Sequence, residues 1–93
     1  MKILFHKKFQ KFTGKVKNKE LFDLIKSEVD KIIKDPSLGK ILEHPFRKYR
    51  IQSISFGYAK NSFRIAYILN KKELVFLLVD VRENFYKKLE RVV

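Results

Sequence analysis

Hydrophobic positions recur with two different periods along this chain, and the first elements follow from them. Residues 2–6, KILFH, predict a short strand. Apolar residues then recur at steps of four, three and four, which predicts one apolar stripe on a short basic helix: Phe5, Phe9, Phe12 and Val16. Gly14 weakens this helix near its end. The chain is therefore predicted to begin with a strand followed by a helix.

A second and longer helix is predicted within residues 18–35, NKELFDLIKSEVDKIIKD. Asn18 is the expected N-cap, and residues at helical spacing form one apolar face: Leu21, Ile25, Val29, Ile32 and Ile33. The helix ends at DPSLG, where Pro36 restrains the backbone of the preceding residue and Gly39 supports a turn.

Three apolar or alternating segments follow the connecting sequence KILEHPF, at residues 47–56, 62–69 and 74–81. They are separated by GYAKN and NKK, and such short polar breaks between apolar runs predict an antiparallel meander. The last segment, RENFYKKLERVV, spaces Phe85, Leu89 and Val92 as a helix does. A terminal helix is therefore expected.

These elements predict an α+β fold in the order β-α-α-β-β-β-α. The 93 residues suffice for a single compact domain spanning 1–93. We expect the antiparallel meander to pack on the helical hairpin, with the helices on one face of a small sheet. The other face would then be free to form a groove.

The charge makes this small domain strongly basic. Twenty-two Lys and Arg against 10 Asp and Glu give a formal net charge of +12. Such a field attracts polyanions, so nucleic acid, including ribosomal RNA, is the predicted partner. A lysine-rich surface that serves solubility, or an acidic protein partner, are the alternatives. Lys11 and Lys15 in the first helix are candidate RNA contacts, unless their charges merely form a solvated helix face.

Several kinds of site are excluded by composition. The chain has no cysteine, which rules out disulfides, cysteine-bound zinc and a thiol nucleophile. His6 and His44 have no acidic cluster at ligand spacing, so no metal or other cofactor is expected. The opening MKILFHKK is far too short for a signal-peptide core, and no apolar run could cross a bilayer. We expect a cytoplasmic protein that does not contact a membrane.

A charged residue interrupts the apolar segment SFRIAYIL. Side chains alternate across a strand, so Arg64, Ala66 and Ile68 should share one face. Arg82 follows the third meander strand and Tyr86 comes one helical turn later, so both could converge on Arg64. Guanidinium groups bind phosphoryl oxygens bidentately and neutralise growing charge. Alternatively, Arg64 protects an edge strand or pairs with Asp80 or Glu73.

The first meander segment supplies further basic and polar candidates. Arg50, Gln52 and Ile54 are predicted to share a face of that strand. Arg47 and Lys48 lie at its start and are expected to contact RNA together with Gln52. With Arg64, Arg82 and Tyr86, these residues would line a concave basic surface.

The chain resembles the RelE/ParE superfamily of toxin–antitoxin systems. The resemblance rests on DPSLGKIL, YRIQSI, FRIAYIL, LVFLLVDV and RENFY, which occur in the order and spacing of that family over about residues 3–90. The family fold is a helical hairpin that leads through a D-P-x-x-G-x-x-L turn into a meander. Its second meander strand carries a Y-R-I-x-Y pattern, and an R-x-x-x-Y element closes the domain.

The resemblance implies a toxin. RelE-like members cleave mRNA in the ribosomal A site, with the 2′-hydroxyl as nucleophile and without a metal. Arg64 would stabilise the transition-state phosphate, Arg82 would lie near the leaving 5′-oxygen, and Tyr86 would stack on the cut nucleotide. Arg50 falls where such nucleases have a basic residue, commonly lysine. Gln52 occupies a second position that is basic in active members.

Two other functions are compatible with the same resemblance. ParE-like members poison DNA gyrase without nuclease chemistry, and a toxin fold that has lost toxicity could serve only as a binding partner. Under either toxin reading we expect an acidic antitoxin with an amphipathic segment that wraps the basic helices. Operator DNA would be bound only through the antitoxin complex. The predicted targets are thus the ribosome with its mRNA, or gyrase.

Overall fold

The computed structural model describes residues 1–93 and confirms the predicted α+β class and the order of the main elements. Eight elements follow one another along the chain: β1 (Lys2–Phe5), α1 (Lys7–Lys15), α2 (Lys19–Lys34), β2 (Lys40–Ile41), β3 (Gln52–Tyr58), β4 (Asn61–Leu69), β5 (Glu73–Val81) and α3 (Arg82–Val92). The strands form one five-stranded sheet in the order β1-β5-β4-β3-β2. β1 pairs parallel with β5, and the other neighbours are antiparallel.

The first meander strand begins later than the sequence predicts. Residues 47–49 form a 3₁₀ turn, and Arg50 follows in the left-handed region with φ of 57°. Because this conformation breaks an extended chain, β3 starts at Gln52. The predicted connector also contains a two-residue strand, β2, which pairs with β3. Between β3 and β4, Ala59 and Lys60 both have positive φ, as tight two-residue hairpin turns require.

Helices cover both faces of the sheet, so the prediction that they share one face is wrong. α1 and α2, the predicted helical hairpin, cover one face. Their Phe9, Ile25 and Ile32 pack in a core with β4 and β5 residues. α3 covers the opposite face with Phe85 and Leu89, in a second core. The physical reason is visible in β5, LVFLLV, whose apolar run does not alternate because both of its faces are buried.

None of the three helices has the length and apolar character needed to cross a membrane.

Helix α2 begins where its cap was predicted. The Asn18 side chain accepts a hydrogen bond from the Leu21 backbone N–H at 3.1 Å, which satisfies one of the free donors of the first turn. Glu20 lies in that first turn, where a negative charge is favourable. The cap and the apolar face together place α2 against the sheet.

Tyr67 ties the DPSLG turn to the sheet. Its side chain is fully buried, and its hydroxyl donates to the Pro36 carbonyl at 2.6 Å and accepts from the Gly39 N–H at 2.8 Å. The Gln52 amide nitrogen faces the same group and donates to the Pro36 carbonyl at 3.0 Å. Burial, with a contribution from Asp35, raises the pKa of the Tyr67 phenol, so the hydroxyl stays a donor. A Cβ at Gly39 would collide with this ring.

We predict that Tyr67→Phe lowers the free energy of unfolding by about 1–3 kcal/mol, because the buried polar groups of the turn lose their shared partner. Urea denaturation of the purified protein measures the change. Tyr58→Phe is the matched control, since the Tyr58 hydroxyl makes only an exposed contact with Glu20 at 3.4 Å. Equal stability of the two variants would contradict the role given to Tyr67.

Candidate functional site

Arg64 lies on the sheet face that α3 covers. In the strand register it stands directly opposite Ser55 of β3 and Asp80 of β5. Its neighbours along β4, Phe63 and Ile65, are buried on the other face. β4 is an interior strand with partners on both sides, so Arg64 does not protect a sheet edge.

The guanidinium of Arg64 has no carboxylate partner. Its Nε is buried and makes no hydrogen bond. The predicted alternative of an ion pair with Asp80 is wrong, because the Asp80 carboxylate is bound by Lys88, with Nζ to Oδ2 at 2.5 Å. Glu73 is not paired with Arg64 either, since it stands opposite Lys2 on the far side of β5. An unpaired, half-buried cation is costly to hold and well suited to bind an anion.

Tyr86 stands beside Arg64. The guanidinium carbon lies 5.7 Å from the centre of the Tyr86 ring, within the range of a cation–π interaction. Phe46 also packs against the Tyr86 ring, with ring centres 6.1 Å apart. Tyr86 is nevertheless 40% exposed, so a flat group can still stack on it. Arg82 is exposed one helical turn before Tyr86, on the same side of α3.

A polar cavity of about 440 Å³ opens beside Arg64. β2 pairs with β3 only at Gln52 and Ser53, so the rest of that strand edge stays open. The polar side chains that line the cavity combine three cations, two hydroxyls and one carboxylate: Lys31, Lys40, Arg64, Ser53, Ser55 and Glu28. The excess of cations and hydroxyl donors suits a phosphate group.

Glu28 is the only carboxylate in the lining of this cavity. The side chain is 9% exposed overall, and its Oε2 lies 2.8 Å from the Nζ of Lys31 one turn later on α2. Sequence reasoning missed Glu28, because in a helical pattern it counts as a polar residue between apolar ones. It also missed Ser53 and Ser55. Their alternation with Gln52 and Ile54 in QSIS indicates that the two serines lie on one face of β3, opposite the face that packs against α1 and α2.

The four residues predicted from the start of the first meander segment lie in the turn before β3 or at the first position of β3. Gln52 points to the hairpin face, where it joins the Tyr67 network, so it and Arg64 are on opposite sides of the sheet. Arg50 lies outside the strand and is exposed. Arg47 and Lys48 are exposed in the preceding turn, where Arg47 lies 3.8 Å from Glu43 and Lys48 stacks on Tyr49. The structure therefore places Arg64 beside Tyr86 and places Gln52 on the opposite face of the sheet.

A second basic cavity of about 170 Å³ lies between α1 and α3. Five cations line it together with Asp80: Lys8, Lys11, Lys15, Lys88 and Arg91. The two predicted contacts of α1, Lys11 and Lys15, thus face charges contributed by α3. This surface is continuous with the Arg64 region through Asp80, which stands opposite Arg64 and is paired with Lys88.

No three His, Cys, Asp or Glu side chains come together in a way that could hold a metal ion. The charged groups that line the larger cavity and could act on a ligand there are Arg64, Lys31, Lys40 and the carboxylate Glu28, and Tyr86 stands beside Arg64.

Comparison with protein families decides the class of the chain. The family model described as the ParE-like toxin of type II bacterial toxin–antitoxin systems matches residues 3–90. This chain belongs to the ParE-like toxin family. Comparison with curated proteins and with solved structures gives no match. A type II toxin has an antitoxin protein as its partner. The surface of this chain must therefore include a binding site for that antitoxin.

We predict that Arg64→Met changes the free energy of unfolding by less than about 1 kcal/mol or increases it, because an unpaired half-buried charge contributes little to stability. The long Met side chain keeps the apolar contacts of the Arg stem. Chemical denaturation of the toxin and the variant measures the difference. A loss above about 2 kcal/mol would show that Arg64 is a structural residue.

Proposed function

We propose that this ParE-like toxin is a ribosome-dependent mRNA endonuclease that acts in the cytoplasm. The observation that carries the proposal is Arg64, a guanidinium without a carboxylate partner that stands between a polar cavity and the Tyr86 ring. A cation for the phosphate and an aromatic surface for a base are the two contacts that recognition of unpaired RNA requires. The net charge of +12 favours docking between ribosomal RNA surfaces.

The proposed reaction needs no cofactor. The 2′-hydroxyl of the nucleotide before the cut attacks the adjacent phosphorus, and the bond to the 5′-oxygen of the next nucleotide breaks. The leaving 5′-oxygen takes a proton from water, so the products are a cyclic phosphate and a free 5′-hydroxyl. Arg64 neutralises the charge that grows on the phosphoryl oxygens, and Arg82 acts near the leaving 5′-oxygen. Tyr86 stacks on the cut nucleotide and holds its phosphate in line.

Glu28 is our candidate for the proton acceptor. A guanidinium is a poor base, which excludes Arg50, and Gln52 has no basic group. Among the cavity residues only Glu28 carries a carboxylate, and it shares the lining with Arg64. Lys31, at 2.8 Å, orients that carboxylate. The proton of the attacking hydroxyl would thus pass to an acid residue that sequence reasoning did not find.

The toxin added to programmed ribosomes is predicted to produce new 5′ ends within A-site codons, mapped by primer extension, and no cuts in naked mRNA. Arg64→Met, Arg82→Ala and Glu28→Gln should each lower the cleavage rate by about 100-fold or more, the usual effect of removing a group that stabilises or protonates a transition state. Asp30→Asn, on the exposed side of α2, is the matched control and should cleave normally. Full cleavage by both arginine variants would overturn the proposal.

Inhibition of DNA gyrase is the second candidate function. It is favoured by Gln52, which has no basic group and lies on the face of the sheet opposite Arg64. A supercoiling assay with purified gyrase distinguishes the two candidates. Inhibition or a trapped cleavage complex, without ribosomal cuts, would favour the gyrase target. Inactivity in both assays would point to a toxin fold that keeps only its antitoxin.

We also propose where the antitoxin binds. An apolar cavity of about 310 Å³ lies between α1 and α2, lined mainly by Phe5, Phe9, Phe22, Ile25 and Val29. Phe5 and Phe22 remain 39% and 44% exposed. Lys26 of α2 also lines this groove, which fits the apolar face of an acidic amphipathic helix. Operator DNA would be bound only through that complex.

Phe22→Asp is predicted to weaken antitoxin binding by about tenfold or more, because it removes an apolar anchor from the groove. Ile33→Asp is the matched control, since Ile33 is equally exposed on α2 but does not line the groove. The antitoxin is first recovered by pull-down from the native cell, and affinity is then measured by calorimetry. Equal losses in both variants would argue against this groove.

A further inference from the structure

Asp80 is the acid closest to Arg64 in the strand register. The two residues are directly opposed on β5 and β4, and directly opposed side chains on one face have Cβ atoms about 4.5–5.5 Å apart. The Asp80 side chain is nearly completely buried, with 3% of the residue exposed. A buried carboxylate at that distance is the natural partner for a guanidinium that has none. The pair is nevertheless not formed.

Both oxygens of the Asp80 carboxylate already accept a hydrogen bond from another donor. Oδ1 accepts the backbone N–H of Val81 at 2.7 Å, at the start of α3. Oδ2 accepts the Nζ of Lys88 at 2.5 Å. Lys88 comes two helical turns into α3, so this helix delivers both the competing cation and the Tyr86 ring to the same strand position.

Lys88 is itself held toward Asp80 by its surroundings. It lies in the basic cavity between α1 and α3, among Lys8, Lys11, Lys15 and Arg91. Asp80 is the one acid in that lining. Repulsion from the other cations and attraction to Asp80 therefore act in the same direction.

We propose that Lys88 is a positioning residue, which keeps Asp80 from neutralising Arg64 and so leaves the guanidinium free to bind a phosphate group. The proposal rests on the role of Arg64 as a phosphate ligand in the proposed function, but it does not depend on which polyanion is the target. Removal of the Lys88 charge leaves Asp80 without its cation, and Arg64 is the cation across the strand that can replace it. The guanidinium would then be paired and its affinity for phosphate would fall.

A direct contact between Lys88 and the ligand is the competing explanation, and neutral variants separate the two. If Lys88 itself binds phosphate, its loss weakens binding whether or not Asp80 is charged. If Lys88 acts through Asp80, its loss is harmless once Asp80 has been made neutral. Lys88→Met in the background of Asp80→Asn therefore decides between them, and this pair of substitutions removes both charges of the Asp80–Lys88 ion pair together.

The experiment follows the Arg64 Nε–H signal in ¹⁵N–¹H spectra of the full-length protein, with the signal assigned by its loss in Arg64→Met. Without any ligand, Lys88→Met should shift this signal and slow its exchange with water, and the double variant Asp80→Asn with Lys88→Met should not. Titration with pyrophosphate should give an affinity about fivefold weaker in Lys88→Met, a loss typical of a newly formed ion pair. Lys88→Arg and the double variant should restore the wild-type affinity.

Each outcome bears on one claim. An unchanged Arg64 signal in a folded Lys88→Met protein overturns the positioning role, whatever the target is. Equal weakening in the single and double variants also overturns it and assigns Lys88 as a direct ligand. If Lys88→Met does not fold, the comparison of Asp80→Asn with the double variant decides alone, because any loss between them contradicts the proposal. No response of wild-type Arg64 to pyrophosphate would instead reject the phosphate role of Arg64 in the proposed function.

Discussion

Burial of β5 on both faces is the constraint on which the rest of this toxin depends. Its apolar run packs against the helical hairpin on one side and against α3 on the other. Because α3 follows β5 directly and must fold back to cover it, Phe85 and Leu89 enter the second core. That packing carries Tyr86 and Lys88 onto the face that holds Arg64. The candidate site is thus a consequence of how a small sheet buries β5 on both faces.

On the sheet face that α3 covers, the arrangement of charged side chains leaves the Arg64 cation without a carboxylate partner. Asp80 could neutralise Arg64, but its oxygens are held by Lys88 and by the backbone N–H of Val81, the residue that precedes α3. The cost of a half-buried guanidinium is partly offset by the Tyr86 ring. Such an arrangement is expected where a protein needs a free charge for a ligand more than it needs stability. The many lysines on both helical surfaces add attraction for polyanions at longer range.

The sequence predicted correctly those elements whose local pattern of hydrophobic and polar residues matches the way they pack in the fold. The apolar face of α2, the Asn18 cap and the apolar run of β5 predicted elements that the structure contains. The side of the sheet taken by α3 could not be predicted in this way, because helical spacing gives the apolar face of a helix but not the surface that receives it. The same run of β5, apolar at every position, did carry a signal for burial on two faces.

The site was predictable only in part, for a related reason. Arg64 was conspicuous as a charge inside an apolar strand, and Tyr86 and Arg82 followed at helical spacing. Gln52 was assigned to the wrong surface because alternation gives relative faces within one strand, whereas the register with β4 decides which face meets Arg64. Arg50 was predicted to lie in the strand, but it adopts a left-handed conformation in the turn before it. Glu28 lines the cavity from α2, which is distant from β4 in sequence, and only the tertiary structure brings it there. Lys88 lies two residues after Tyr86, but its pairing with Asp80 is visible only in the structure.

The most direct test of the central claim is a structure of the toxin bound to a short single-stranded RNA whose 2′-hydroxyl is methylated at the cut position, so that the strand cannot be cleaved. The account predicts a backbone phosphate within about 3 Å of the Arg64 guanidinium nitrogens and a base stacked on Tyr86, with Asp80 still bound to Lys88. RNA bound elsewhere, with Arg64 turned to Asp80, would contradict it.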